Sequence, residues 1–265
     1  GNIQVELTGY TNLADVYIRS GHFDKGASYY RQALFLTDSC GLPKQELINT
    51  YMGLGQTYME LRDFERSHHY FDLAYQLYDL MDLNRKFVYF TNHGNVYYFE
   101  KKYDEALKLF KQGYELVKSS PEYAYAQSIC LTNMGEIYLL TDRLDSSEYC
   151  LKQSYTYFKT TGNASALYHA STLLAELALR KGSLSEAAHR FQEGANNPYT
   201  EPSLVSIRKR YLQHYFEEAG DYQKAYQYLK ENVQMDDSIR NGRIRMRVAE
   251  TELRYKQDTT LMKQQ

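Results

Sequence analysis

Histidines are the residues of this chain that could most readily bind a metal or act in catalysis, and it has seven. His68 and Asp72 are four residues apart, so a helix would place an imidazole and a carboxylate on one face, as metal binding requires. No second ligand pair follows at a recognisable spacing. The His68-His69 pair lies in the outer helix of a repeat, and we interpret both as solvated surface histidines. His93 occupies a packing position that other repeats give to leucine, which predicts a core histidine with a hydrogen-bond partner.

Other catalytic signatures are missing from the sequence. It contains no HExxH, GxSxG, GxGxxG or GxxxxGK[ST] motif. Carboxylates such as Asp104 and Glu105 directly follow turns, where the N-terminal helix dipole stabilises them. Cys40, Cys130 and Cys150 make no CxxC pair and no disulfide framework, and we interpret them as small buried apolar residues. The sequence therefore predicts no catalytic residue, no metal site and no cofactor.

Composition narrows the classes of partner. The net charge is −2, so no global field attracts nucleic acid or an anionic membrane. No run of apolar residues approaches the 18 or so that a bilayer-spanning helix needs. The chain has 28 Tyr, 11 Phe and no Trp. Tyrosine buries its ring while its hydroxyl stays hydrated, which suits thin helical layers that are close to solvent everywhere.

Any site must be positioned by a repeated helical unit. One aromatic-site position recurs at steps of 41, 39, 41, 40 and 38 residues. Its members are Tyr17, Tyr58, Tyr97, Tyr138, Ala178 and Phe216. A period in this range indicates stacked supersecondary units. Within a unit, two runs with helical spacing of apolar residues are separated by a short polar turn, which predicts a helix hairpin.

Small residues recur at one position in each run. They are Ala14, Gly55, Gly94, Gly135 and Ala175 in the first run, and Gly26, Ser67, Ala106, Ser147, Ala187 and Ala225 in the second. A glycine inside a helix costs about 1 kcal/mol relative to alanine, so its recurrence indicates a packing role. We expect the two antiparallel backbones of each hairpin to approach closely there, with aromatic rings filling the space around the contact.

This pattern resembles the tetratricopeptide repeat family over residues 7–232. Copies two to four match the L-G-x-x-Y signature well, whereas copy five has Ala178 for the tyrosine and copy six has Gln213 for the small residue. The resemblance implies an all-α, right-handed superhelical solenoid of about six hairpins plus a C-terminal helix. We divide the chain into a repeat array, 1–232, and a capping or connecting helix, 233–265.

The family binds ligands on the concave surface formed by the first helix of each hairpin. The resemblance places ligand contacts at Thr11, Asp15, Met52, Gln56, Met59, Thr91, Asn95, Tyr98, Thr132, Glu136, Leu139, Thr172, Glu176 and Leu179. We expect a neutral or basic protein or peptide segment there. Asn95 and Gln56 would bond its backbone, and Met52, Met59 and Tyr98 would contact its apolar side chains. The recurring threonines have an alternative explanation, namely hydrogen bonding between helices or drift after duplication.

The basic C-terminal segment also resembles a group of Bacteroidetes-type signalling proteins, through Asp237-Ser238-Ile239 and the run 250–256. That resemblance implies a sensor module of a signalling or transcription-regulating protein, in the periplasm. It further implies a membrane span and an output domain after residue 265, with oligomerisation through the C-terminal helix. No nucleic acid would bind this part. The alternative is a cytoplasmic assembly scaffold with a capping tail, and the odd cysteine count favours that reducing compartment.

Overall fold

A computed structural model describes residues 2–193, 195 and 201–264, with the side chains of 202, 249 and 252–264 outside that description. Twelve α-helices and no strand occur in this part of the chain. The helices are α1 (Ile3–Arg19), α2 (Phe23–Ser39), α3 (Gln45–Glu60), α4 (Phe64–Tyr75), α5 (Leu83–Phe99), α6 (Tyr103–Val117), α7 (Ala124–Leu140), α8 (Leu144–Thr161), α9 (Ala164–Arg180), α10 (Leu184–Gln192), α11 (Pro202–Glu218) and α12 (Tyr222–Gln264). Consecutive helices pair into six hairpins, so the predicted all-α repeat solenoid is confirmed.

The turn inside each hairpin has the same backbone conformation. One residue per turn has a positive φ between 56° and 80°. These residues are Gly21, Arg62, Lys101, Asp142, Gly182 and Gly220. The next residue donates its N–H to the carbonyl at the aromatic-site position, as from Lys102 to Tyr97 at 2.9 Å. This bond satisfies a helix-end carbonyl and reverses the chain, so the turn repeats with the same period as the rings.

The small residues bring the two helices of each hairpin into contact, as predicted. A Cβ added to Gly94 would lie 2.5 Å from the ring of Phe110, closer than atoms can approach. In the second hairpin the Ser67 hydroxyl donates to the Gly55 carbonyl at 2.7 Å, and the equivalent bond in the fourth hairpin is 2.8 Å. Glycine thus makes room for a ring, while serine bonds directly to the facing backbone.

The odd-numbered helices form the inner layer of the solenoid. Each packs on the next odd helix, from α1 on α3 to α9 on α11, and the even helices α2 to α10 each contact the odd helices on both sides of them in the sequence. Large side chains such as Phe71, Phe110 and Phe158 are buried between the layers. The crowded odd layer therefore faces the concave side. No helix in the described part of the chain has the length and apolarity to cross a bilayer.

One inter-hairpin contact is a chain of polar side chains. Tyr89 Oη lies 3.0 Å from His93 Nδ1, His93 Nε2 lies 2.9 Å from His68 Nδ1, and His68 Nε2 lies 2.8 Å from Glu100 Oε2. The prediction of a bonded core histidine at His93 is confirmed. The surface interpretation of His68 is wrong, because α4 packs its ring against α5; His69 is exposed as expected.

Neutral histidines satisfy every bond of this chain. Tyr89 then donates to His93, His93 donates to His68, and His68 donates to Glu100. Burial, and after it the neighbouring His68, lowers the pKa of His93 to about 4, while Glu100 acts in the opposite direction. Among the described residues, no group of three or more His, Cys, Asp or Glu side chains is arranged so that it could hold a metal ion, and this cluster is no exception.

Two of the three cysteines are core residues. Burial raises the pKa of Cys130 to about 12 and that of Cys150 to about 11, so both thiols stay protonated. The expectation that Cys40 is also buried is wrong. Cys40 follows the last residue of α2, where the helix ends at the surface.

The C-terminal helix continues the last hairpin and returns to the first two. α12 is one helix of 43 residues, so the boundary predicted between residues 232 and 233 falls inside it. Met246 is only 1 % exposed, and it packs in a cluster with Ala14, Tyr58 and Leu61. The Cδ2 of Leu61 lies 3.2 Å from where a Cβ on Gly242 would be, so the glycine lets the two helices approach.

A carboxylate fixes this return contact. Glu250 accepts hydrogen bonds from Tyr58 Oη at 2.7 Å and Arg31 Nη1 at 2.9 Å, and its second oxygen pairs with Arg66. Its side chain is 17 % exposed, so these charges are largely shielded from solvent. The end of the array is thus joined to its beginning. Of the signalling-protein motif at 250–256, the side chains of 252–256 lie outside the described residues.

Candidate ligand-binding groove

The inner layer encloses a cavity of about 350 Å³. Residues from α3, α5, α7, α9 and α11 line it, so it lies on the concave side where the family resemblance places a ligand. Six of the predicted contact residues line it, and these are Gln56, Met59, Thr91, Asn95, Tyr98 and Glu136. None of the described residues of α12 is among the lining residues. The described part of α12 therefore closes the array without lining the cavity.

Carboxamides are the distinctive polar groups of the cavity. Gln56, Asn92, Asn95 and Asn133 all line it, and their side chains make no hydrogen bond to another described residue. A carboxamide presents a donor and an acceptor side by side, the arrangement needed to pair with a peptide group. The unused bonding capacity of these four side chains is therefore available at the cavity surface.

The cavity wall carries negative rather than positive charge. Glu60 at the end of α3 and Glu201 beside α11 both line it. Burial raises the pKa of Glu60 to about 7; Arg62 opposes this, and Glu201 adds to it. Arg62 itself packs its guanidinium over the Phe99 ring, 3.7 Å from the centroid. A cationic ligand group beside Glu60 would favour the charged form of this carboxyl group.

Glu136 lines the cavity, but its carboxylate is already bonded within the protein. Tyr98 Oη donates to one oxygen at 2.6 Å, and His169 Nε2 lies 3.1 Å from the other. Glu136 is 4 % exposed, and burial followed by the charge of Glu136 raises the pKa of Tyr98 well above its ordinary value. This group ties α5, α7 and α9 together and fixes one wall of the cavity.

The other predicted contact residues do not line this cavity. They are Thr11, Asp15, Met52, Thr132, Leu139, Thr172, Glu176 and Leu179. Asp15 accepts a bond from Tyr30 and lines a smaller cavity of about 120 Å³. Leu139 is fully buried, and Glu176 accepts bonds from Arg180 and His214, each at 2.9 Å.

The recurring threonines are explained by helix geometry. Thr91, Thr132 and Thr172 donate to the carbonyl four residues earlier in their own helices, at 3.0, 3.0 and 2.7 Å. All three are buried, and of the three Thr91 alone is among the residues that line the cavity. These bonds lie within single helices and not between helices, apart from the bond that Thr172 also accepts from Arg208 at 3.0 Å. Thr132 and Thr172 do not line the cavity, and a ligand contact at either stays a prediction.

Two cavity asparagines were missed although the sequence signals them. Asn92 and Asn133 each stand two residues before the helix-contact glycine of their repeat, and Asn12 holds the same register before Ala14. A polar residue repeated on the inner face of a helix needs a reason, because asparagine has low helix propensity. Only the superhelix decides which copies line the cavity: Asn12 is exposed at the first hairpin, outside it.

Comparison with known proteins bears on the fold. A sequence profile described as "Tetratricopeptide repeat" matches residues 87–160, and a second of the same description matches residues 7–36 and 48–79. The chain belongs to the tetratricopeptide repeat family. The family resemblance based on the repeat signature is thereby confirmed.

Individual relatives of this tetratricopeptide chain are distant. It is 26 % identical over 184 residues to response regulator aspartate phosphatase E of Bacillus subtilis, a match that covers 66 % of this chain and 47 % of that protein. The tetratricopeptide chain therefore spans about half of the length of this curated relative.

Two solved structures share the tetratricopeptide fold. A STAND signal-transduction ATPase with a tetratricopeptide repeat sensor, from Pyrococcus horikoshii, has a TM-score of 0.58 at 16 % identity, with 84 % of this chain and 31 % of that chain covered. The apo quorum sensor NprR from B. thuringiensis has a TM-score of 0.57 at 15 % identity, with 88 % and 65 % covered. NprR has also been solved in complex with its cognate peptide NprX.

Proposed function

We propose that this chain is a non-catalytic, regulatory tetratricopeptide module that binds a short neutral or basic peptide segment in the cavity of its inner layer. The observation that carries the proposal is the set of four unbonded carboxamides, Gln56, Asn92, Asn95 and Asn133. An extended peptide offers backbone N–H and C=O groups that such side chains can bond whatever its sequence.

Size and charge support the same class of ligand. About 350 Å³ is at the small end of the range for ligand cavities, which suits a few residues of a peptide rather than a folded domain. Met59 and Ile207 supply apolar wall, and the Glu60 and Glu201 carboxyl groups favour a cation over an anion. The similarity to NprR, whose structure with a cognate peptide is known, is consistent with this reading.

The signalling role is the finer part of the proposal. We infer that the module serves a bacterial signalling or transcription-regulating protein in the periplasm, and that α12 reports occupancy of the cavity. α12 is joined to Tyr58 in the last turn of α3 and to Arg66 in the first turn of α4. Tyr58 lies between the cavity residues Gln56 and Met59 in the sequence. A ligand that shifts the end of α3 would move Tyr58 and so change the hydrogen bonds that hold Glu250 of α12.

A peptide selection tests the binding site. A display library of random short peptides is selected against the full chain, and affinities of recovered peptides are measured by calorimetry. Asn95→Ala and Asn133→Ala should each weaken binding by about tenfold, because each removes hydrogen bonds to an amide. Asn12→Ala is the matched control, since Asn12 has the same register as Asn133 but lies outside the cavity. Equal affinities for all three variants would refute the groove assignment.

The reporting role needs a second measurement. Hydrogen exchange of residues 243–251 is compared with and without the selected peptide, in the wild type and in Asn95→Ala. We expect peptide binding to change exchange in this segment in the wild type alone. Unchanged exchange in a peptide-saturated wild type would leave the chain as a scaffold with a capping tail.

A further inference from the structure

The outward face of α12 carries an exposed apolar stripe that the fold does not use. Tyr226, Leu229, Val233, Ile244 and Val248 are between 44 % and 68 % exposed. Met246 and Asn232 of the same helix are buried, at 1 % and 7 %. At 100° per residue, the buried residues lie on one side of α12 and the stripe on another, so the stripe stays outside while α12 is seated on the hairpins.

The spacing of the stripe has a period of its own. Including Asp237, Arg240 and Thr251, its positions advance by steps of 3, 4, 4, 3, 4, 4 and 3 residues. This is an 11-residue repeat, which keeps the stripe almost straight along a helix, with at most a slight right-handed drift. From 226 to 251 it is roughly 38 Å long at 1.5 Å per residue.

The order of steps reads the same in both directions, and this makes the stripe complementary to itself. We propose that α12 forms a two-fold, antiparallel helix pair with α12 of a second copy of this chain, centred between Ser238 and Ile239. In that register Tyr226 meets Thr251 of the other copy, Leu229 meets Val248, and Val233 meets Ile244. The Leu229–Val248 and Val233–Ile244 pairs are thus apolar on both sides of the centre, and each end of the stripe has a tyrosine opposite a threonine.

The charges at the centre of the stripe favour an antiparallel orientation of the two helices and a second copy of this chain as the partner. At the centre Asp237 meets Arg240 of the second copy, and the symmetry repeats the pair, so four charges form two intermolecular ion pairs. Both side chains are exposed in the monomer, at 52 % and 63 %, and they lie 2.8 Å apart within one helix. A parallel pairing would instead place Asp237 against Asp237 and Arg240 against Arg240, which is repulsive. The self-complementary register identifies the occupant as a second copy, joined through an isologous contact.

Charge exchange in the full chain tests the contact, with sedimentation velocity as the readout. The wild type should dimerise at micromolar concentration. Asp237→Arg and Arg240→Asp should each weaken dimerisation at least about tenfold, because each sets like charges opposite one another twice. The double exchange should restore it. A mixture of the two single variants should also form a heterodimer, since its intermolecular pairs are all of opposite sign.

The mixture separates the intermolecular pairs from the pair within α12, because it restores only the former. Both substitutions are at exposed positions, and thermal unfolding should confirm that each variant is folded. A monomeric wild type, or single variants that dimerise as tightly as the wild type, would overturn the proposal. So would a mixture that stays monomeric while the double exchange dimerises.

Disulfide trapping tests the register, in a Cys40→Ser background that removes the exposed native thiol. A mixture of Val233→Cys and Ile244→Cys chains should cross-link on mild oxidation, whereas Val233→Cys alone should not. Cross-linking of Val233→Cys to itself would indicate a parallel pair and would refute the antiparallel register.

Discussion

Replacing His93 by leucine should remove most of the acid sensitivity of this fold between pH 6.5 and pH 4. Leucine is tolerated in this register, because the preceding repeat has Leu54 there. In the wild type, His93 is held neutral by burial and by bonds to Tyr89 and His68. In the unfolded chain it takes up a proton at its ordinary pKa.

The direction and the size of this pH effect on the free energy of unfolding follow from proton linkage. The folded-state pKa is about 4 against an ordinary value of 6.5, so between these values the unfolded chain binds more protons. Stability is therefore complete above pH 6.5 and falls as the pH approaches 4. At about 1.36 kcal/mol for each pKa unit, the free energy of unfolding should fall by about 3 kcal/mol across this window.

Urea unfolding followed by circular dichroism, at a series of pH values, measures the effect. Between pH 6.5 and pH 4, the free energy of unfolding of the His93→Leu variant should fall by about 3 kcal/mol less than that of the wild type. His69→Leu is the control, since His69 is the exposed neighbour of His68 and makes none of these bonds. If His93→Leu and the wild type showed the same pH slope, the neutral hydrogen-bonded chain would be the wrong description.

Three further predictions concern the hairpins and the closing helix. Gly94→Val should lower the free energy of unfolding by roughly 3 kcal/mol in urea titrations, because its side chain would overlap the Phe110 ring. Gly182→Ala should cost about 1 kcal/mol, since its φ is +80°, whereas Lys101→Gly at φ +62° should cost nothing in the same assay. Glu250→Gln should speed hydrogen exchange in residues 243–251 and leave the central hairpins unchanged; unchanged exchange there would contradict the closing contact.

The fold was largely predictable because its determinants are local and repeated. Rings at one register, small residues at another and a turn between them recur every forty or so residues. The same period appears in the backbone as the left-handed residue of each turn, although Arg62 and Asp142 stand where glycine would be easiest. Local repetition could not place α12, because Glu250 lies 192 residues from Tyr58 along the sequence.

The groove was predictable only in part, for a geometric reason. A family register says which side of a helix faces inward, and it correctly placed Gln56 and Asn95 at the cavity. It cannot say how far each successive hairpin is rotated. In this fold Thr172 and Leu139 are buried in packed contacts, while Asn133 and His169 line the cavity.

The contact between Glu250 and the first two hairpins changes what kind of object the array is. An open solenoid frays from both ends, and its two terminal repeats can unfold independently because each repeat contacts only its neighbours. Here the first hairpins and α12 stabilise each other. Unfolding of the first hairpin would remove part of the surface on which α12 packs, and detachment of α12 would expose Tyr58 and Leu61. Force or ligand applied at either extremity is thus felt at the other without having to pass through the four hairpins between them.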